Sequence, residues 1–571
     1  MRIDLLYTEP ATIEPIQFAD GVNVILGESD ETSSKNNGVG KSMCIEFINF
    51  ALLKKKSDSR VSRIPKETFD PETFICVRFT LHGVTYTLKR SLAESEQPRL
   101  VTEGRETIFS KVEDATNFLT EIMFPESNAK TVSFREMLGP LIRDERSEFK
   151  SIVSYFDTRL RVPENYAPHL MLLGIDLGIY RQIKDIIKEI DLIAAEEGRI
   201  RESVMLVRQK SIDDARSDLN ALDEEVETIN EAIENLETSP GFDIVQDDIL
   251  AIEGEMGALR RRKEALSQRS AKLAPLTTAS SIDSDEIRQF FDALHSGLGT
   301  VVARDLEEVL SFKNKIDRFQ RHLLEEKSKV VDAEIKVINK QLADLDKRYS
   351  KLLSVLNQQG QLKSLRQTYA SYQVKSDELG QLKSFIDRYD QLALDKQRKR
   401  SDKETELMRL QGNIAAARER IKSVERTILD MHQFIQGNRA ASFAVRATTT
   451  KQVVEIALRI DDDGSHSVER EKVFIYDVAL LLNDFTKFRH PGMLVHDNIF
   501  DVDQDTLNKS LEFLLTRAEF DFEQQYILTL NVDRITYATE EIWYDDLRRA
   551  VVASFTKNKR FLRTAYQEAV K

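Results

Sequence analysis

Proline all but vanishes from the middle of this 571-residue chain. Ten of the twelve prolines lie in 1–170 or at Pro491, and only Pro240 and Pro275 fall between about 180 and 436. An interior proline costs a helix ~3 kcal/mol, so the gap leaves room for long helices. Cysteine is scarcer still. Cys44 and Cys76 belong to no CxxC pair, which argues against a zinc site or a disulfide framework and reads instead as two small buried apolar residues. No apolar run reaches the ~18 residues a membrane span needs, and the start, MRIDLLYTEP, lacks the regions of a signal peptide. The expectation is a cytoplasmic chain with reduced thiols and no membrane contact. Aromatics are 8% of the residues while charged residues are 31%, a balance that suits a large exposed helical portion. The net charge of −14 gives nucleic acid no bulk attraction, so DNA contact requires local basic patches.

Where proline is absent, heptads appear. Leu219, Leu222, Val226, Ile229, Ile233 and Leu236 are spaced 3-4-3-4-3. Ile335, Ile338, Leu342, Leu345, Tyr349, Leu352 and Leu356 repeat the pattern, and so do Leu407, Leu410, Ile414, Ala417, Ile421, Val424, Ile428 and Met431. A bundle of three long helices reads the same way, but the regularity of the seams favours coiled coil. SPGF at 239–242 is a turn signal, TTASSIDSD at 277–285 is polar, and Phe290, Phe291, Leu294, Leu306, Leu310, Phe312 and Phe319 make a more globular pattern. The distal tip of the excursion is therefore placed in 239–325. Arms of ~100 helical residues project ~150 Å at most.

The two ends differ from the middle. FADGVNVILG and FICVRFTLHGVTYTLKR predict strands within 15–27 and 73–90, the second a hairpin turning at His82–Gly83. Residues 443–460, 491–496 and 526–530 predict more strands. Strands at both ends and helices between them predict one α/β domain closed by the termini, from which the middle leaves and returns as an antiparallel hairpin. The expected division is 1–179 and 437–571 for the two lobes, 180–238 and 326–436 for the arms, and 239–325 for the tip.

The sharpest local signal is GVNVILG, then Asn37-Gly38-Val39-Gly40-Lys41-Ser42, then an apolar helix MCIEFINFALL. Strand, glycine loop and helix are the context a P-loop requires. N–H groups around Gly38 and Gly40 would cradle phosphates, Lys41 would reach the β/γ-phosphates, and Ser42 would ligate Mg²⁺. The usual first glycine is replaced by Lys35, and an insertion follows Gly27. More than 450 residues later, Met493-Leu494-Val495-His496-Asp497-Asn498 is an apolar strand ending in an acid, a Walker B pattern with Asp497 placed to hold Mg²⁺.

On these motifs the chain resembles the SMC and double-strand-break-repair ATPases of the ABC class. The P-loop insertion and the His496-Asp497-Asn498-Ile499-Phe500-Asp501 run are similar to those of bacterial SMC-like subunits of Lamassu-like anti-phage and anti-plasmid systems. FREMLGPLIRDE at 134–145, a short apolar segment running into Arg143 and Asp144, looks like that group's Q-loop neighbourhood. The resemblance implies an α/β ABC-type P-loop ATPase head with a long antiparallel coiled-coil insertion, ATP and Mg²⁺ as ligands, and a homodimer bridged by ATP. It implies DNA, an effector subunit such as a nuclease, and a small accessory subunit as partners. The D-loop would be Asp501-Val502-Asp503, the switch Asn531, and Ser467 would act in trans from Gly464-Ser465-His466-Ser467 at the signature helix, a place that equally reads as a helix N-cap.

The catalytic glutamate position holds Asn498, and a carboxamide is a poor general base. Hydrolysis is expected to be slow unless His496, Asp501 or Asp503 helps. The rival expectation is a nucleotide-dependent scaffold that restrains a toxic partner. Basic clusters for DNA are Lys54, Lys55, Lys56, Arg60 and Arg63, with Arg260–Lys263 and the group Lys557, Lys559, Arg560 and Arg563 as further runs.

Overall fold

The structure is a computed structural model. It describes all residues except 29–37, 126–131, 160–161, 209–210, 238–245, 279–325, 328, 352–360, 461–465, 522–523, 536–539, 567 and 569–571. The chain divides into two compact units: one contains Met1–Asp185 and Lys403–Lys571, the other the described parts of Ile186–Phe291 and Asp305–Asp402.

In the first unit the two termini share one core. Strands β1 (Arg2–Glu9), β2 (Ile16–Gln17), β4 (Phe74–Leu81), β5 (Val84–Arg90), β6 (Arg99–Thr102) and β7 (Arg105–Ile108) form an antiparallel sheet in the order β2-β1-β4-β5-β6-β7. The β4–β5 hairpin turns at His82 and Gly83, both with positive φ, as the sequence predicts.

The second sheet is parallel. Strands β3 (Gly21–Gly27), β8 (Ile142–Arg143), β11 (Met493–His496), β12 (Gln525–Asn531) and β13 (Val551–Phe555) lie in the order β13-β3-β12-β11-β8. β3, β11 and β12 are near-continuous apolar runs because a parallel sheet is covered on both faces. β12 inserts between β3 and β11, so the strand before the P-loop and the strand before Asp497 point the same way, one strand apart. A third, two-stranded sheet pairs β9 (Ala441–Ala447) with β10 (Val454–Ile460).

The P-loop helix, Lys41–Ala51, contacts β3 of the parallel sheet and β4 and β5 of the antiparallel one. Covered on both sides, it carries apolar residues on more than one face. Its one buried acid, Glu46, is met by Lys54 at 3.0 Å, Ser59 at 2.7 Å and the Arg60 N–H at 2.9 Å. The fully buried Arg90 donates to the Phe50 and Lys54 carbonyls at the helix's carboxyl end and lies 4.3 Å from the Phe50 ring centroid. Cys44 and Cys76 are both buried free thiols.

The second unit is helical. Leu219, Leu222 and Ile212 of the helix Ile212–Glu237 pack on Leu379, Leu382 and Ile386 of the helix Gln361–Ala416. Ion pairs Glu225–Lys375 and Arg216–Asp390 set those two helices antiparallel. The helix Gln246–Thr278 lies within the span assigned to the tip, whose residues 279–325 fall outside the described ones. Its Ile252, Met256 and Leu266 share a core with Val331, Ile338, Leu342, Leu345 and Tyr349 of the helix at 329–351. Glu253–Tyr349 and Ser270–Asp332 make that pair antiparallel, while Arg260–Tyr369 and Lys263–Asp377 run the helix Gln246–Thr278 parallel to Gln361–Ala416. The 335–349 seam thus faces Gln246–Thr278, a segment the sequence expectation assigned to the tip and not to an arm. The third seam also differs. Val424, Ile428 and Met431 sit on the helix Arg418–Gln436, which packs on β9 and on the helix His466–Leu482 within the first unit.

Candidate nucleotide site

Parallel α/β sheets place ligands at the carboxyl ends of their strands. Here those ends carry Gly27 from β3, Arg143 and Asp144 from β8, Asp497 and Asn498 from β11, and Asn531 from β12. A cavity of about 460 Å³ opens there, walled by the P-loop, by Glu145, Asp497 and Asn498, and by Arg60, Tyr566 and Glu568.

The P-loop is shaped by glycine. Gly40, with φ 111°, immediately precedes the helix, and a Cβ there would lie 2.5 Å from the Phe561 Cβ. Phe561 N–H donates to the Val39 carbonyl at 3.1 Å, and Arg560 donates to the Gly38 carbonyl at 3.0 Å. The C-terminal segment therefore packs directly on the phosphate loop. Lys41 donates to Asn531 Oδ1 at 2.5 Å, a contact between residues 490 positions apart. Burial pushes the Lys41 ammonium below its ordinary value, opposed by the charges of Asp497, Asp533 and Glu145.

Asp497 is buried at the end of β11. Burial raises its carboxyl to about 6, against hydrogen bonds from Ser42 and Thr529 that favour the charged form. Thr529 Oγ1 donates to it at 2.9 Å and also accepts the Asn498 N–H at 2.9 Å. One carboxylate and one hydroxyl are a set that fits Mg²⁺, which commonly takes one or two protein oxygens and completes its shell with phosphates and water. Bound there, Mg²⁺ would neutralise charge on the β- and γ-phosphate oxygens.

Other expected residues sit elsewhere. His496 is 0% exposed, with Nε2 at 3.0 Å from Asp477 Oδ2 and Nδ1 at 2.9 Å from the Tyr526 hydroxyl. Burial depresses its pKa although Asp477 opposes the shift. Both ring nitrogens are occupied in the core, so it leaves the catalytic set expected from the sequence. Asp501 is exposed and faces Arg470 at 3.8 Å and Arg534 at 3.9 Å. Asp503 caps the helix Gln504–Glu512, accepting the Thr506 N–H at 2.9 Å. None of the three lines the cavity. Ser467, half-buried at the second position of its helix, does not line it either. Asn37, Gly464 and Ser465 lie outside the described residues.

The basic run after the P-loop helix divides. Lys54 pairs with Glu46, and Arg60 and Arg63 both approach Glu568, at 2.5 Å and 3.8 Å. Arg60 lines the cavity, and of the five only Lys55 is exposed. Sequence reasoning missed Glu145, Tyr566 and Glu568 as wall residues. For the last two no signal existed, since a tail's destination has no periodicity.

A family described as an AAA domain matches residues 9–238, and one described as an uncharacterised protein conserved in bacteria (DUF2326) matches residues 431–566. With the parallel sheet and the P-loop, the first match makes this an α/β P-loop ATPase fold, a class that binds ATP with Mg²⁺. The uncharacterized protein YydD of Bacillus subtilis (strain 168) is 21% identical over 95% of this chain and 94% of its own length. Among solved structures the chain is similar to the Smc head domain with a coiled coil and joint from Pyrococcus yayanosii, at 12% identity and TM-score 0.36 over 100% of this chain and 96% of that one. It is similar also to the Smc head domain with an extended coiled coil bound to the C-terminal domain of ScpA from Pyrococcus furiosus, at 10% identity and TM-score 0.33 over 94% and 91%. Among the described residues no helix is long and apolar enough to cross a membrane.

Proposed function

We propose that the chain is an SMC-like ATPase subunit that uses ATP binding to engage DNA and to license a partner effector. One observation carries the nucleotide part: Lys41, Ser42, Asp497 and Asn531 meet at the carboxyl end of one sheet although they come from opposite ends of the chain. The N–H groups of the P-loop and Lys41 would hold the triphosphate, and Ser42 with Asp497 would hold the magnesium. Two copies would close on ATP, with Ser467 of each reaching the other's phosphate.

DNA engagement, a nuclease effector, a small accessory subunit and a role in bacterial defence or repair rest on the resemblance of the P-loop insertion and the 496–501 run. Lys55 is the exposed member of the basic run offered to DNA. The second reading, a scaffold that seldom hydrolyses ATP, is favoured by one observation, the carboxamide of Asn498 where a base is expected. Phosphate release with and without DNA separates them. DNA-stimulated turnover supports the first reading. ATP binding with no turnover under either condition supports the second.

A further inference from the structure

We infer that Glu145, carried on the turn that follows β8, supplies the carboxylate that position 498 lacks and acts as the general base for ATP hydrolysis. This rests on the ATPase reading above. Asn498 Nδ2 donates to Glu145 Oε1 at 3.3 Å, and both side chains line the cavity with Lys41, Ser42 and Asp497.

The two other acids that line the cavity, and the acid next to Glu145 in sequence, are committed. Asp497 is held by Ser42 and Thr529. Glu568 is paired with Arg60 and Arg63. Asp144 accepts the Arg146 N–H at 3.0 Å, closing the turn that presents Glu145, and faces Lys54 at 3.7 Å. Glu145 is exposed to the cavity, and one bond from Asn498 uses only one of the roughly four acceptor sites of a carboxylate.

Asn498 is fixed for the complementary task. Its φ is 62°, a left-handed conformation that asparagine tolerates better than glutamate does. Arg470 holds its carbonyl at 2.7 Å and Thr529 its N–H at 2.9 Å. The carboxamide orients, and the carboxylate beside it accepts the proton.

In the step, a water oxygen bonds to the γ-phosphorus while one water proton passes to Glu145. The bond from the γ-phosphorus to the bridging oxygen breaks, and its electron pair leaves on ADP. Glu145 then releases the proton to solvent, so ATP and water give ADP, phosphate and H⁺.

The test uses the full-length chain. Phosphate release is measured at saturating MgATP across pH, and affinity is measured by titration with a non-hydrolysable ATP analogue. Glu145→Gln is isosteric and is expected to lower kcat by about 100-fold or more and to leave analogue affinity within a few-fold. A Glu145→Gln chain that keeps kcat within about threefold, or that loses analogue affinity along with turnover, overturns the inference. Wild-type chain that binds no analogue overturns the ATPase reading itself, which normal binding with a fully active variant does not.

Discussion

Asp497 and Gly40 show how single positions are set by their surroundings. Burial lifts the Asp497 carboxyl from 3.8 to about 6, so holding it ionised costs the folded chain more than it would at an exposed aspartate. Its raised folded value means stability is favoured below about pH 4 and lost as pH rises through about 6. Asp497→Asn is therefore expected to raise the melting temperature at pH 7–8 and not at pH 4, while abolishing magnesium-dependent nucleotide binding. In the wild type, that binding should weaken as pH falls below about 6, which titration with a labelled nucleotide at several pH values checks. At Gly40 the φ is 111°, and a Cβ would stand 3.2 Å from the Phe561 backbone nitrogen, which leaves no room for a side chain. Gly40→Ala should abolish nucleotide binding, with protease sensitivity rising first in the segment around Phe561.

Between elements, the parallel sheet is tied together by a buried polar network. Arg143, at the end of β8, meets Asp477 at 2.6 Å from the helix His466–Leu482, and Asp477 meets His496 of β11. Burial works against the Asp477 charge, but Arg143 and His496 together hold its pKa below the ordinary value. Removing one partner of such a network leaves an uncompensated buried charge and costs ~3–5 kcal/mol. Asp477→Ala is expected to lower stability by about that much in urea unfolding, although it touches no nucleotide. Strands β3, β4, β5, β9, β10, β11 and β12 were legible because alternating or continuous apolar runs have a definite period. β1 was not, since RIDLLYTE interleaves charges with its buried Ile3 and Leu6 and sits before any turn signal. β8 has two residues and no period at all. Among the described residues the heptads gave faces correctly and partners incompletely. A 3-4 seam packs equally well on another seam or, as Val424, Ile428 and Met431 do, against a sheet and a neighbouring helix.

Taken whole, the chain closes its candidate nucleotide site with residues from both of its ends, and the meeting of those ends was readable from two motifs and the order of strands around them. What was not readable was the wall contributed by Tyr566 and Glu568 and the pairing of Asn498 with Glu145. Both depend on which loops meet in space. If ATP bridges two copies through Ser467, then Ser467→Arg should still bind the analogue within the single chain, losing only the part of the affinity that closure adds. In the presence of the analogue, light scattering should show wild-type dimer and variant monomer. The most direct measurement is nucleotide binding to full-length chain by isothermal titration, with ATP in magnesium and in EDTA, for wild type, Lys41→Ala and Asp497→Ala. One shared site predicts magnesium-dependent binding in the wild type, near-complete loss in Lys41→Ala, and loss of the magnesium dependence in Asp497→Ala. Unaltered ATP binding by both variants would contradict it.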